Sequence, residues 1–255
     1  MKKLLLSAVL LTSIFGTLTF TGCKKEEKTT TPTTPSTPSY TCTSCTTTPD
    51  AKAANDNISK GIYKGVIVGS SGTIKFDIMN NDSTIKAYMV IDGESVTLTA
   101  SVAWKAGEAF VSPFQGTLKG EAVSITFSVG SDGESPTVTT MSIPGHPNAS
   151  LTISKETSTN LIKCFEGTYK NTTSGETGNF DLFLSASLKK WSAQVKADGG
   201  SKPFNVPGTF DGTTLSYDLG SGNSGNATLS GDKIINGTFK SDKGETGTWE
   251  AKRTL

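Results

Sequence analysis

The sequence predicts an all-β protein built from two related antiparallel units, and three observations carry that prediction. Short runs of β-forming residues recur between Asp-Gly, Asn-rich and Gly-rich turns; apolar residues within them alternate with period two; and a segment of the first half returns in the second at a fixed offset. No stretch holds a helical apolar period long enough to trust. Hydrophobic content of 34% with 27 glycines suits a turn-rich soluble fold and is not a membrane-spanning composition.

The segment from Thr73 to Met79 illustrates the period, with Ile74, Phe76 and Ile78 on one face and Thr73, Lys75 and Asp77 on the other. Successive strand side chains point to opposite sides, so this is a strand with one dry and one wet face.

At an offset of 106 residues, Gly61 to Gly93 superposes on Gly167 to Gly199 without a gap. Tyr63 meets Tyr169, Lys64 meets Lys170, and Asp92-Gly93 meets Asp198-Gly199. The apolar phase follows: Phe180, Leu182 and Leu184 fall under Ile74, Phe76 and Ile78, while Trp191, Ala193 and Val195 fall under Ile85, Ala87 and Met89. A one-residue slip would send every one of these to the other face. Gly116-Thr117-Leu118-Lys119-Gly120 also lines up with Gly208-Thr209-Phe210-Asp211-Gly212 at an offset of 92, which implies about fourteen extra residues in the first unit, near Ala103 to Phe114.

Two tandem β-meander units are therefore expected, at residues 58–159 and 160–255, each of roughly eight short strands. In the second unit the strands begin near Gly167, Asn179, Trp191, Phe204, Thr213, Ala227, Ile234 and Thr246. Consecutive hairpins favour a small up-and-down barrel or a sandwich, either of which hides sheet edges. A membrane barrel would need an apolar outer band, whereas the outward positions Ser192, Gln194 and Lys196 are polar.

Two further segments precede the β units. Residues 1–22 carry Lys2 and Lys3 followed by an apolar run from Leu4 to Phe20, which reads as a targeting segment and is short for a full membrane span. Residues 23–57 are a linker whose stretch from Thr29 to Thr41 is too polar and proline-rich to bury a core, so it serves as a disordered, semi-extended stalk.

Phe20-Thr21-Gly22-Cys23 resembles the lipobox of bacterial lipoproteins. The resemblance implies diacylglycerol on the Cys23 thiol, cleavage by signal peptidase II on its amino side, and a membrane anchor. Lys24-Lys25-Glu26-Glu27-Lys28 is similar to the signals that send lipoproteins of the Bacteroidetes to the cell surface. An outer-membrane location is expected, with the periplasmic and surface sides both open. The β pattern, including its ending Gly247-Thr248-Trp249-Glu250-Ala251-Lys252-Arg253, resembles the lipocalin-like domains of such lipoproteins. That resemblance implies a fold and a location and no chemistry. Without Lys2 and Lys3 the 24 basic residues become 22 against 23 acidic, a formal charge of −1 that gives no reason to expect nucleic acid.

Cys42, Cys45 and Cys164 remain after the anchor, and export makes a disulfide expected. Pairing Cys45 with Cys164 is preferred because it would pin the stalk's end against the junction of the units; Cys42 with Cys45 is the alternative. A redox role lacks a helix amino terminus to activate a thiol. Thr46 stands where haem attachment needs histidine, and two cysteines without a partner pair do not make a zinc site.

His146, the only histidine, sits in the tight-loop sequence Pro144-Gly145-His146-Pro147-Asn148 and cannot alone build a triad or a multi-histidine site. No nucleophile elbow, phosphate loop or dinucleotide fingerprint is present, so no cofactor or metal is expected. Asp181, Asp218 and Glu250 are carboxylates that only the fold could bring together. Trp191 and Trp249 are assigned to core faces, and Trp104, in the insertion, is the candidate ligand contact.

The expected function is a non-catalytic envelope binding module for a small ligand, glycan or envelope protein. A glycan-acting hydrolase and a purely structural surface protein are the alternatives.

Overall fold

A computed structural model describes residues 40–81, 83–200 and 202–255, so the leader, Cys23 and most of the stalk lie outside the described residues. Among the described residues, apart from one 3-10 turn at Ala53–Asn55, the regular structure is antiparallel strand. The first eight are β1 (Gly61–Val68), β2 (Gly72–Ile78), β3 (Ile85–Ile91), β4 (Glu94–Ala100), β5 (Phe110–Leu118), β6 (Glu121–Val129), β7 (Thr137–Ser142) and β8 (Ser150–Glu156). The second eight are β9 (Ile162–Asn171), β10 (Thr177–Ser185), β11 (Lys190–Ala197), β12 (Phe204–Phe210), β13 (Thr214–Gly220), β14 (Asn223–Ser230), β15 (Lys233–Lys240) and β16 (Thr246–Arg253). The chain is thus all-β, two eight-stranded meanders in tandem.

The second meander is a closed barrel, because β16 returns to pair with β9. The first sheet runs β7-β6-β5-β4-β3-β2-β1-β8, with its seam between β7 and β8. Tight turns set the registers: Asp92 and Gly93 both take positive φ, 48° and 80°, as a two-residue primed hairpin requires.

The 106-residue offset aligns corresponding strands, since β1, β2 and β3 hold the same places in the first sheet as β9, β10 and β11 in the second. The 92-residue offset does not. Gly116 to Gly120 ends β5, the fifth strand of its sheet, whereas Gly208 to Gly212 ends β12, the fourth strand of the other. The likeness is that of two strand ends running into similar tight turns. No extra strand is inserted; the residues assigned to an insertion are the loop between β4 and β5 together with the start of β5 itself.

Each meander buries the face that its alternation marks. In the first, Phe76 stacks on Phe127 at 4.7 Å and meets Phe114 edge-on at 4.9 Å, within a cluster that also holds Tyr63, Ile74, Ile78 and Met89. In the second, Phe180 stacks on Trp249 at 4.3 Å, and Trp191 lies 6.1 Å from Trp249. Both indoles are 2% exposed and donate to backbone carbonyls, Trp191 to Thr209 at 2.9 Å and Trp249 to Thr238 at 3.4 Å. A small barrel filled by such rings holds a packed core.

The two sheets meet through β1, all eight residues of which are buried. Val66 packs with Ile162 and Cys164, and Phe183 and Leu255 lie against them. This junction explains why Gln194 and Lys196, read as polar outward positions of β11, are only 9% and 8% exposed. Lys64 on β1 is 1% exposed and reaches Glu156 Oε2 at 2.7 Å; Glu156 in turn accepts the backbone N–H groups of Asp50 and Ile162.

The disulfide joins Cys42 to Cys45, the alternative pairing, and Cys164 is a free, buried thiol. The preferred bridge from Cys45 to Cys164 fails for a structural reason. Cys164 lies in β9, and its backbone pairs with Thr254 and Leu255 while its side chain is enclosed with Val66 and Ile162. Cys42 and Cys45 instead close a turn in which the Cys45 N–H meets the Cys42 carbonyl at 3.4 Å. The stalk's end is nevertheless fixed to the second barrel by polar contacts: Asp232 accepts the Cys42 N–H at 3.0 Å, and Arg253 donates to the Thr46 carbonyl at 2.6 Å.

Candidate functional site

The inward phase of the second barrel runs out to one rim, where it no longer meets opposing side chains. Tyr169 on β9, Phe180 on β10, Val195 on β11, Val206 on β12, Tyr217 on β13 and Phe239 on β15 border a cavity of about 180 Å³ there. Its lip combines exposed apolar groups with charge. Phe204 and Leu219 are 57% and 45% exposed, and Glu176, Lys240 and Glu245 border the same opening.

The walls are held by local contacts. Tyr169 and Phe239 meet edge to face, 6.1 Å apart at 74°, and form two sides of a corner. The Tyr169 hydroxyl donates to Glu176 Oε1 at 2.7 Å, which fixes that carboxylate over the mouth. Desolvation, then the hydrogen bond and charge of Glu176, raise the Tyr169 phenol above its ordinary range. Burial alone pushes Tyr217 up to about 12, so both phenols are neutral at physiological pH. An apolar, ring-lined hollow with a few polar groups at its edge is the usual form of a small-ligand site in a barrel mouth.

A second concave surface lies outside the barrel, where Glu166, Asp181 and Glu250 border one cleft of about 520 Å³ with Ser71 from the turn between β1 and β2. Ser71 Oγ hydrogen-bonds Glu166 there. Asp181 accepts the Gly167 N–H at 2.9 Å and is 1% exposed. Burial, supported by the nearby Glu166 charge, raises its carboxyl well above the ordinary range despite that hydrogen bond. Asp218 is not part of this group; it borders a different surface with Trp191 and Pro207.

Trp104, the expected ligand contact, is a cover for the first core. Its ring packs against the core cluster, its Nε1 donates to Ser59 Oγ at 2.8 Å, and Lys60 Nζ sits 4.1 Å from the ring centroid. His146 lies in the loop between β7 and β8, with Nε2 3.5 Å from Asp92 Oδ2. Among the described residues no group of three His, Cys, Asp or Glu is placed to hold a metal, and no helix is long and apolar enough to cross a membrane.

Sequence reading did not single out the barrel mouth, although a signal was present. Phe204 opens β12 and Leu219 stands next to the end of β13, in the alternation of Leu215 and Tyr217, and apolar residues at strand ends have no neighbouring layer to cover them.

No family model matches the chain, and no curated protein does. Among solved structures, a protein with unknown function from the DUF3598 family of Nostoc punctiforme matches over 79% of this chain and 96% of its own, at 9% identity and a TM-score of 0.18.

Proposed function

We propose that this chain is an outer-membrane lipoprotein, anchored through lipid on Cys23, whose paired β units form a non-catalytic binding module with its ligand site at the mouth of the second barrel. The lipobox-like Phe20-Thr21-Gly22-Cys23 and the Thr/Pro-rich stalk support the anchor. The observation that carries the binding reading is the aromatic-walled mouth, roofed on one side by the exposed Phe204 and Leu219, above an interior that side chains already fill. A ligand is then held at the rim, and the cavity limits its buried part to about the size of one small ring; an apolar cavity of roughly 150 Å³ takes a benzene-sized guest.

A hydrolytic role has one structural feature in its favour, the shared cleft of Asp181 and Glu250. Against it, the carboxyl with the raised proton affinity is enclosed, and general acid catalysis needs that proton within reach of the leaving group.

Native mass spectrometry on protein extracted gently from its host, after trimming of the stalk, tests the binding reading. A stoichiometric adduct of small mass, lost in Phe239→Ala, is expected. A bare polypeptide mass, with no mouth resonance shifted by host extract, would overturn it. Metabolic labelling with an alkynyl fatty acid tests the anchor, and label retained in Cys23→Ser would refute lipidation at that residue.

A further inference from the structure

We propose that the barrel mouth selects a small organic cation, an alkylammonium group, over neutral or anionic molecules of the same shape. This inference rests on the binding reading of the same site and adds the chemistry of what is bound.

Ring faces come first. The Tyr169 and Phe239 rings stand nearly at right angles, and Tyr217 contributes a further ring to the same hollow. Each ring face carries a negative quadrupole, and three rings bordering one hollow favour a cation there and give an anion nothing. The phenols are neutral because burial raises both of them, so the rings contribute as π faces and donors and not as phenolates.

Charge points the same way. Glu176 and Glu245 border the opening against one ammonium, Lys240. Glu176 cannot swing freely, because Oε1 is held by the Tyr169 hydroxyl at 2.7 Å, which leaves Oε2 for a guest. Glu245 is turned back toward Ser241, whose Oγ accepts the Glu245 N–H at 3.2 Å.

Size and polarity complete the case. A cavity of about 180 Å³ holds a trimethylammonium-sized head, while a sugar ring would need hydroxyl partners that the Phe180, Val195 and Val206 floor does not supply. The exposed Phe204 and Leu219 lie where an aliphatic tail leaving the cavity would run. The head could belong to a free solute or to a lipid headgroup in the membrane that carries the protein; the recognition chemistry is the same.

The test compares choline with its uncharged carbon isostere 3,3-dimethylbutan-1-ol, and with benzoate and methyl glucoside, by NMR titration of the chain from Lys24 to Leu255. Choline is expected to shift the resonances of Tyr169, Tyr217 and Phe239 and to bind about tenfold more tightly than the isostere, the combined effect of ring faces and a carboxylate at a half-exposed site. Glu176→Gln is expected to remove about threefold to tenfold of that preference, while Glu250→Gln, on the barrel's outer face, leaves it intact.

Equal or tighter binding of the isostere, benzoate or glucoside at the mouth would overturn the cation inference and leave the binding reading standing. No shift at the mouth with any of the four, together with a bare native mass, would overturn both. Co-sedimentation with vesicles bearing trimethylammonium headgroups, added to choline binding, supports the inference with a lipid as source; choline binding alone supports it with a free solute.

Discussion

Asp181 and Gln194 stand opposite each other in the β10–β11 ladder, both buried at the junction of the two sheets, and each holds a side-chain oxygen to which no described residue donates. Directly opposed residues share a face, with Cβ atoms about 5 Å apart. Two buried acceptors side by side are unfavourable, and an unmet one costs about 1–3 kcal/mol. A proton on Asp181 removes its buried charge and turns the unmet oxygen into a donor, while the other oxygen keeps the Gly167 N–H.

Stability therefore depends on pH in a direction opposite to that of a salt-bridged carboxylate. Burial raises Asp181 well above 3.8 in the folded protein. Its contribution is fully present below about pH 3.8 and is lost as pH rises through the folded value, since only the unfolded chain ionises it readily. Asp181→Asn supplies the same acceptor and a permanent donor, so it should equal or exceed the parent at pH 8 and flatten this part of the pH profile. Asp181→Ala should lose about 1–3 kcal/mol. Urea unfolding between pH 4 and 8 checks both, and an Asn variant less stable than the parent at pH 8 would contradict the neutral acid.

The second barrel is filled by rings lying across glycines. Trp191 opposes Gly208, Tyr169 opposes Gly178, Tyr217 opposes Gly225, Trp249 opposes Gly237, and Phe239 opposes Gly247, each as a direct cross-strand pair. A narrow barrel leaves too little room for a side chain opposite each ring, and glycine gives the ring the neighbouring strand to lie on. A Cβ at position 208 would stand 2.2 Å from Trp191 Cε2 and 2.5 Å from the Ser216 carbonyl oxygen. Gly208→Ala should cost about 1–3 kcal/mol by overpacking. Trp191→Leu, itself destabilising, should reduce that penalty, and strictly additive losses in the double-mutant cycle would show that the ring is not the cause.

Strand period is a local signal, which is why the faces of β2 and β10 were legible from Ile74, Phe76 and Ile78 and from Phe180, Leu182 and Leu184. What was not legible depends on which surfaces meet. Lys64 and Lys170 occupy matching positions in the repeat, yet Lys64 is buried against Glu156 and Lys170 is exposed, because the outer face of β1 carries the junction at that point and that of β9 does not. The same blindness made Gln194 and Lys196 look solvated and left the barrel mouth unseen. It also let Trp104, whose ring packs on the first core from the loop between β4 and β5, pass for a ligand contact.

Glu156 should be harder to replace than its partner. Its carboxylate, 0% exposed, serves three donors: Lys64 Nζ at 2.7 Å, Asp50 N at 2.7 Å and Ile162 N at 3.0 Å. Glu156→Leu leaves the buried Lys64 ammonium only its longer contact to Asp50 Oδ2 at 3.6 Å and strands two backbone N–H groups, and should cost about 3–5 kcal/mol. Lys64→Met leaves the carboxylate with both backbone donors and should cost less. Denaturant unfolding of the two variants checks the order, and a larger loss in Lys64→Met would mean that the ion pair outweighs the backbone contacts.

Thiol chemistry separates the two disulfide arrangements. Cys164 is 0% exposed, and burial pushes its thiol up to about 12, so little thiolate forms at neutral pH and little of it is reachable. With Cys42 and Cys45 joined, the folded chain from Lys24 onward should show no fast-reacting thiol toward an aromatic disulfide reagent. Denaturation without reductant should expose one thiol, and denaturation with reductant three. A bridge between Cys45 and Cys164 would also leave one thiol free in the denatured chain, but it would be that of Cys42, which sits in the turn before the first strand and not in the β9 ladder. Alkylation of the unfolded, unreduced chain followed by peptide mass mapping therefore decides the matter: label on the peptide carrying Cys164 supports the Cys42–Cys45 closure, and label on Cys42 refutes it.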